Sequence, residues 1–336
     1  MKNYNDEKSK VSFFKSKDEY GGPGTFLRKL SGWLDKNNFN YDIYPEQKSK
    51  NILIISSSKK IIFLIFKKLC GYRIIQRLDG YLWDHQYQNN KNIFYKYILI
   101  NFLMNFIRKY IANVVIYQSN YLKNEWEKKY SKVKNYKVIL NGTDNLFYLK
   151  KNKKKSKKFK LVCVEGTVQE NFYTFNLVKS LALVAEKNTN IENFEIYGKY
   201  PEKYKKKLSR YVKTNFKGIV QKDKILQIYN KEKIIFFVLE QYPACPNSVI
   251  EALASDNIVL GFNNGSLLEM LQYKIFLINF DKLKKMKNFF YVLNNVQKKI
   301  EYTMNNYDVL KNQLKKISKK FRIDKMGKKY LKVFNN

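Results

Sequence analysis

The stretch that decides the reading is Tyr242-Pro-Ala-Cys-Pro-Asn-Ser-Val-Ile-Glu-Ala-Leu-Ala-Ser255, with Asn263-Asn-Gly-Ser-Leu-Leu-Glu269 shortly after it. It follows Ile234-Ile-Phe-Phe-Val-Leu239, an unbroken apolar, β-rich run that reads as a buried strand. Pro246 breaks the chain, and Asn247 or Ser248 is then expected to cap a helix carrying Glu251 in its first turns. A helix that opens at the end of a buried strand aims free backbone N–H groups and a positive dipole end at one point. That is a natural seat for a phosphate. Glu251, one turn in, is placed to accept hydrogen bonds from the vicinal hydroxyls of a sugar.

Working outward, the second half of the chain repeats the strand signal. Phe159–Glu165 ends at a Gly166-Thr167 turn, and further strands are expected at 194–197, 215–220, 257–260 and 275–278. The first half alternates in the same way, with a weak strand at Val11–Phe14 and others at 51–55, 72–76, 113–117 and 136–140. Helical patterns separate them, and the alternation argues for an α/β protein with parallel sheets covered on both faces. A chain of 336 residues is long enough for two such domains. The lysine-rich run 149–158 marks the expected linker. The expected limits are therefore 1–150, 151–305 and a basic helical tail, 306–336, packing back on the first domain.

Three pieces of the first half carry chemistry. Gly21-Gly22-Pro23-Gly24 lies between a strand and a helix, where glycine lets backbone approach a ligand. Arg77-Leu-Asp79-Gly80 ends an apolar strand, placing Arg77 and Asp79 where open α/β sheets bind ligands. His85 follows six residues later. Asn141-Gly142 closes the last strand of this half.

The 242–269 stretch resembles the donor-binding motif of retaining glycosyltransferases of the GT-B fold, most closely family 4, the group 1 transferases. The resemblance covers most of residues 20–300. It implies two Rossmann-like domains facing a cleft, a nucleotide-sugar donor, no metal and no further cofactor. Residue by residue, it assigns Glu251 to the nucleotide ribose, with Asn247 and Ser248 at the phosphate-facing helix start. Gly22 and Gly24 match the family's glycine loop, Gly166 the turn after the second domain's first strand, and Gly218 the segment against the base. Arg77 and Asp79 stand at the candidate catalytic position, where many members have a histidine; a branch of the family has a similar Arg-Leu-Asp-Gly and a later Tyr-Gln-Ser, like Tyr117–Ser119. Val138–Asp144 is similar to the family's Ile-x-Asn-Gly-x-Asp. The chain departs from the pattern twice. The acidic residue eight positions before the glutamate, which touches the transferred sugar, falls on Pro243, and Glu240 is the nearest substitute. The arginine and lysine that usually meet the diphosphate are missing from 164–171, and Lys179 lies late in the following helix.

The implied reaction is sugar transfer with retention to a glycan or lipid-linked acceptor, in cell-surface polysaccharide or lipopolysaccharide assembly. A catalytically silent homologue serving as a partner subunit is the alternative that the two departures motivate. A formal charge of +37 favours anionic partners of every kind, part of it following from an AT-rich amino-acid bias. A nucleic-acid-binding protein is a second alternative, opposed by the absence of a recognition motif and by aromatics that fall in core-patterned runs. Three widely spaced cysteines form no disulfide framework, and one histidine with no Asp-x-Asp offers no metal site. The N-terminus carries no apolar leader, and no run reaches the ~20 residues needed to cross a bilayer. A cytoplasmic protein, peripheral at the inner, anionic face of the cell membrane, is expected. The apolar-basic segments 59–68 and 93–107 suit such an interface.

Overall fold

The computed structural model describes residues 10–14, 21–44, 46, 49–56, 59–80, 91–149, 156–168, 172–279 and 288–336. His85 lies outside them, as do the loop before Gly21 and most of the lysine-rich run. The chain forms two compact units, residues 1–142 with 323–336, and residues 143–322.

The first unit runs β1 (Val11–Phe13), α1 (Gly21–Lys36), β2 (Tyr41–Ile43), β3 (Asn51–Ile55), α2 (Ile61–Leu69), β4 (Arg73–Leu78), α3 (Lys91–Phe106), β5 (Val114–Tyr117), α4 (Asn120–Lys129) and β6 (Tyr136–Val138). A π-helical turn, Ile107–Ile111, continues α3. The strands form one parallel sheet in the order β2-β1-β3-β4-β5-β6. The order reverses between β1 and β3, so the ligand crevice expected of such a sheet opens at their carboxyl ends. β3 carries Ile52–Ile55 and β5 Val114–Tyr117, all buried, because helices cover both faces.

The second unit runs β7 (Phe159–Thr167), α5 (Phe172–Lys187), β8 (Ile191–Lys199), α6 (Glu202–Leu208), β9 (Thr214–Gly218), α7 (Lys222–Tyr229), β10 (Ile234–Phe237), α8 (Asn247–Ala254), β11 (Ile258–Phe262), α9 (Leu267–Leu271), β12 (Leu277–Ile278), α10 (Phe289–Asn305) and α11 (Tyr307–Ser318). Its parallel sheet has the order β12-β11-β10-β7-β8-β9. Counted along the chain this is the doubly wound Rossmann arrangement, and its switch point falls between β7 and β10.

The last helix, α12 (Ile323–Asn335), returns to the first unit. Trp33 Nε1 donates to Asp324 Oδ1 at 2.9 Å, and Tyr330 meets Phe26 with ring centroids 5.2 Å apart. Gly327 lies against Trp33, where an added Cβ would come within 2.1 Å of the indole. Only a residue without a side chain lets α12 approach α1 this closely.

Several expected boundaries differ. The units change at 142/143 rather than at 150/151, and the 306–336 tail is divided, with α11 in the second unit and only α12 in the first. The glycine stretch 21–24 is no free loop; it is the first turn of α1, with Gly21 at φ +87°. β2 was not anticipated, since Tyr-Asp-Ile carries a charge at its centre. That charge is buried: Asp42 Oδ2 accepts from Ser12 Oγ at 2.5 Å and from the Ser49 N–H at 3.1 Å. β4 runs on past Gln76 through Arg77 and Leu78, which are 1% and 0% exposed.

Candidate functional site

In the first unit, β4 delivers Arg77 and Asp79 to the carboxyl edge of the sheet, and they are ion-paired. Arg77 Nη2 also donates to Asn141 Oδ1 at 2.8 Å, Asn141 Nδ2 donates to Gln118 Oε1 at 3.1 Å, and Gln118 Nε2 donates to Asp79 Oδ1 at 2.8 Å. Four side chains from the ends of β4, β5 and β6 thus close a polar ring. The Arg77 guanidinium lies 3.6 Å from the Phe26 ring centroid of α1, a cation–π contact inside the unit. The Asp79 backbone N–H donates to Ser56 Oγ at 2.7 Å.

This arrangement separates the two candidates. Arg77 is 1% exposed and turned into the ring, where it pairs with Asp79. Asp79 keeps 17% of its side chain accessible, while its Oδ2 is out of solvent and has no hydrogen-bond partner among the described residues. A buried carboxylate oxygen left without a donor is costly. Gln118 stands in the sequence only as the middle of the Tyr117–Ser119 resemblance, with nothing there to link it to Asp79 or Asn141. Gly22 is exposed in the first turn of α1 and Gly24 is buried there.

In the second unit, α8 follows β10 at the switch point. Pro246 occupies the cap position, with no side-chain capping bond, and Asn247 and Ser248 fall in the first turn. The expected Asn or Ser cap is therefore replaced by proline, whose fixed φ starts the helix. That leaves the first-turn backbone amides without a side-chain cap from Pro246. Glu251 is 7% exposed, not a solvated helix residue. Behind this turn, the buried Tyr229 hydroxyl donates to the Ser248 carbonyl at 3.3 Å. Burial, and after it the charges of Glu251 and Glu165, push the Tyr229 phenol well up, so it stays a neutral donor.

The Asn263–Ser266 turn holds the loop that leads into α8. The Ser266 N–H donates to the Pro243 carbonyl at 2.7 Å. Gly265, at φ +60°, lies against Pro243, where an added Cβ would approach the proline nitrogen to 2.6 Å. The two halves of the sequence motif therefore meet, with Pro243 as the point of contact. In the same turn, Asn264 Oδ1 and Nδ2 are both out of solvent with no hydrogen-bond partner among the described residues.

Glu165, at the end of β7, and Glu240, just past β10, stand on the two strands that flank the switch point. Glu165 Oε1 accepts from the Leu239 N–H at 3.2 Å. Burial pushes the Glu165 carboxyl up, the charge of Glu240 adds to this, and backbone N–H groups of Leu239 and Glu240 work against it. Burial raises Glu240 as well. Glu165 is half-buried and Glu240 keeps an exposed surface, so solvent moderates both effects without reversing them. Glu165 belongs to no motif and lies 75 positions from its partner, Glu240.

This pair has a consequence for stability. A carboxyl raised in the folded state binds its proton more tightly there than in the unfolded chain. Stability is then unaffected below the ordinary carboxylate range and falls as pH rises from that range through the folded values. Glu165→Gln is expected to raise the melting temperature near pH 8 and to leave it unchanged near pH 4. Thermal melts of both proteins across that range check this; a Gln variant that gains nothing at alkaline pH contradicts it.

Gly166 is exposed and follows Glu165 directly within β7. Gly218 ends the edge strand β9 at φ +69°, separated from β7 by β8. Lys179 of α5 places its ammonium 4.1 Å from the Phe289 ring centroid. Among the described residues, no group of three or more His, Cys, Asp or Glu is arranged to hold a metal ion.

No protein-family model matches the sequence, and no curated protein is similar to it at the sequence level. Solved structures do match over nearly the whole chain. Anabaena HepE, in complex with UDP and glucose, superposes with a TM-score of 0.69 at 12% identity, covering 98% of this chain and 100% of that one. Sucrose-phosphate synthase from Thermosynechococcus elongatus gives 0.73 at 11% identity over 97% and 99%. WaaG, a glycosyltransferase involved in lipopolysaccharide biosynthesis, gives 0.65 at 10% identity over 97% and 100%. These are GT-B structures, and the two six-stranded Rossmann-like sheets of this chain match their fold.

Proposed function

We propose that this protein is a glycosyltransferase that moves a sugar from a nucleotide-sugar donor to a glycan or lipid-linked acceptor, with retention and without a metal. The observation that carries the reading is the β10–α8 unit. A helix without a side-chain cap opens at the switch point of a Rossmann sheet, with Glu251 buried one turn in. The backbone amides of the first turn, at Asn247 and Ser248, receive the diphosphate, and Glu251 holds the ribose hydroxyls. Glu240 meets the transferred sugar in place of the residue that Pro243 displaces. Gly22, Gly24, Gly166 and Gly218 contribute close backbone approach. Asp79 accepts a hydrogen bond from a substrate hydroxyl, and Arg77 positions it.

The reaction is a front-side displacement. The bond from the sugar's anomeric carbon to the diphosphate oxygen breaks, the acceptor oxygen bonds on the same face, and its proton passes to the departing phosphate oxygen. No protein nucleophile takes part. The requirement is preorganised hydrogen-bond donors around the leaving group. The setting we assign is assembly of cell-surface polysaccharide or lipopolysaccharide, with the protein cytoplasmic and peripheral at the inner membrane face.

Pro243 and the lack of an arginine–lysine pair at 164–171 favour a second reading, a silent homologue acting as a partner subunit. Thermal-shift titration against a panel of nucleotide sugars, followed by a donor-hydrolysis assay, separates the two. An active enzyme is stabilised by one donor and hydrolyses it. Because the chain has no Asp-x-Asp and one histidine, turnover is expected to persist in EDTA. Strict dependence on Mn²⁺ or Mg²⁺ contradicts the metal-free mechanism.

A further inference from the structure

The first unit turns an apolar surface outward. On α2, Ile62, Ile65, Phe66 and Leu69 are 85%, 38%, 61% and 81% exposed. On α3, Tyr95, Ile98, Leu99 and Phe102 are 65%, 38%, 56% and 56% exposed. Each set has the spacing i, i+3, i+4, i+7, which places it on one helical stripe. Normally such a stripe faces the core. Here both helices have already spent a different face on the core: Leu64 of α2 packs in one cluster with Ile107 and Ile111 of the π-helical turn and with Ile52, Ile54 and Ile74 of the sheet. Among the described residues of the unit, the second stripe stays exposed.

α2 packs against the π-helical turn that continues α3. Lys68 Nζ of α2 donates to the Tyr110 carbonyl in the π-helical turn at 2.8 Å, and Tyr110 itself is 58% exposed. The charge on these elements is of one sign. From Lys59 to Leu78, and from Lys91 to Lys123, the sequence contains no aspartate or glutamate. Lys59, Lys60, Lys96 and Lys109 are exposed. No described helix is long and apolar enough to cross a membrane. Apolar side chains at helical spacing, edged only by lysine, match an interface with hydrocarbon below and anionic headgroups around it.

We propose that the outward stripes of α2 and α3 form a docking surface for an anionic lipid bilayer, with Ile62, Phe66, Leu99 and Phe102 entering the headgroup–acyl boundary. This extends the peripheral location named above but rests on no part of the sugar-transfer chemistry. The lysines draw the protein to the surface, and the aromatic and aliphatic side chains hold it there.

Co-sedimentation with neutral phosphatidylcholine vesicles and with vesicles containing phosphatidylglycerol, at low and high salt, tests the proposal in the full chain. Binding to the anionic vesicles is expected to exceed binding to neutral ones at least tenfold and to weaken with salt. The double variant Phe66→Ser/Phe102→Ser is expected to lose about tenfold in affinity with an unchanged melting temperature. Lys96→Gln/Lys109→Gln is expected to lower affinity and flatten the salt dependence. Equal binding to both vesicles, no binding at low salt, or variants that bind as the parent does would overturn the proposal. A dimer in sedimentation velocity that the Phe variant abolishes, with no vesicle binding, would assign the surface to a second copy instead. Because no sugar transfer is involved, either result is distinguishable from failure of the glycosyltransferase reading.

Discussion

Arg77→Leu is expected to unfold the first unit at a markedly lower temperature and to abolish measurable turnover. The guanidinium is 1% exposed, and replacing it removes the ion pair of the Asp79 carboxylate and the Nη2 hydrogen bond to Asn141 Oδ1. Breaking a buried pair from one side costs about 3–5 kcal/mol, toward the lower end here because Asp79 retains some access to solvent. Denaturant titration checks the stability part. Asp79→Asn keeps the shape of the ring but removes the carboxylate and leaves the Arg77 charge without its counter-ion, so turnover is read at a temperature at which the variant is shown to be folded. If Asp79 contacts a substrate hydroxyl, the Asn variant remains folded and loses roughly tenfold to a hundredfold in kcat/KM, the scale of one charged hydrogen bond. Full activity in the Asn variant would confine this cluster to a structural role.

Glu251→Ala is the second large effect. The side chain is 7% exposed one turn into a helix whose start has no side-chain cap, and in the proposed donor site its loss removes the acceptor for the ribose hydroxyls. Donor affinity is expected to fall by about 1–3 kcal/mol, roughly five- to a hundredfold, while the fold survives. Isothermal titration with the preferred nucleotide sugar reads this directly. A folded Ala variant with parental affinity would remove the central residue of the donor site.

The sequence disclosed whatever depended on local pattern. β3 was legible to the residue at 51–55, because five apolar or strand-compatible residues sit between breakers. β10 and α8 were legible because Pro246 marks their junction. What depended on distant partners was not legible. β4 continues past the expected end at Gln76 because the buried Arg77 is satisfied by Asn141, 64 positions away. β2 exists because Ser12 neutralises the cost of burying Asp42. The tail at 306–336 reads as one basic helical stretch, yet it is divided at Arg322 because Gly327 alone allows α12 to meet Trp33. Of the candidate site, single motifs were readable and their assembly was not: Tyr117–Ser119 and Asn141 appeared as separate family echoes, and the structure joins Gln118 and Asn141 to Asp79 in one ring. Glu165 had no motif at all and is found only through the adjacency of β7 and β10.

Donor hydrolysis by the purified full chain, across a panel of UDP-, GDP-, ADP- and dTDP-sugars in EDTA, tests the central claim most directly. The account predicts slow but saturable release of nucleoside diphosphate from one donor class, abolished in Glu251→Ala. Absence of hydrolysis and of any thermal shift across the whole panel would contradict it, leaving a GT-B fold without a donor.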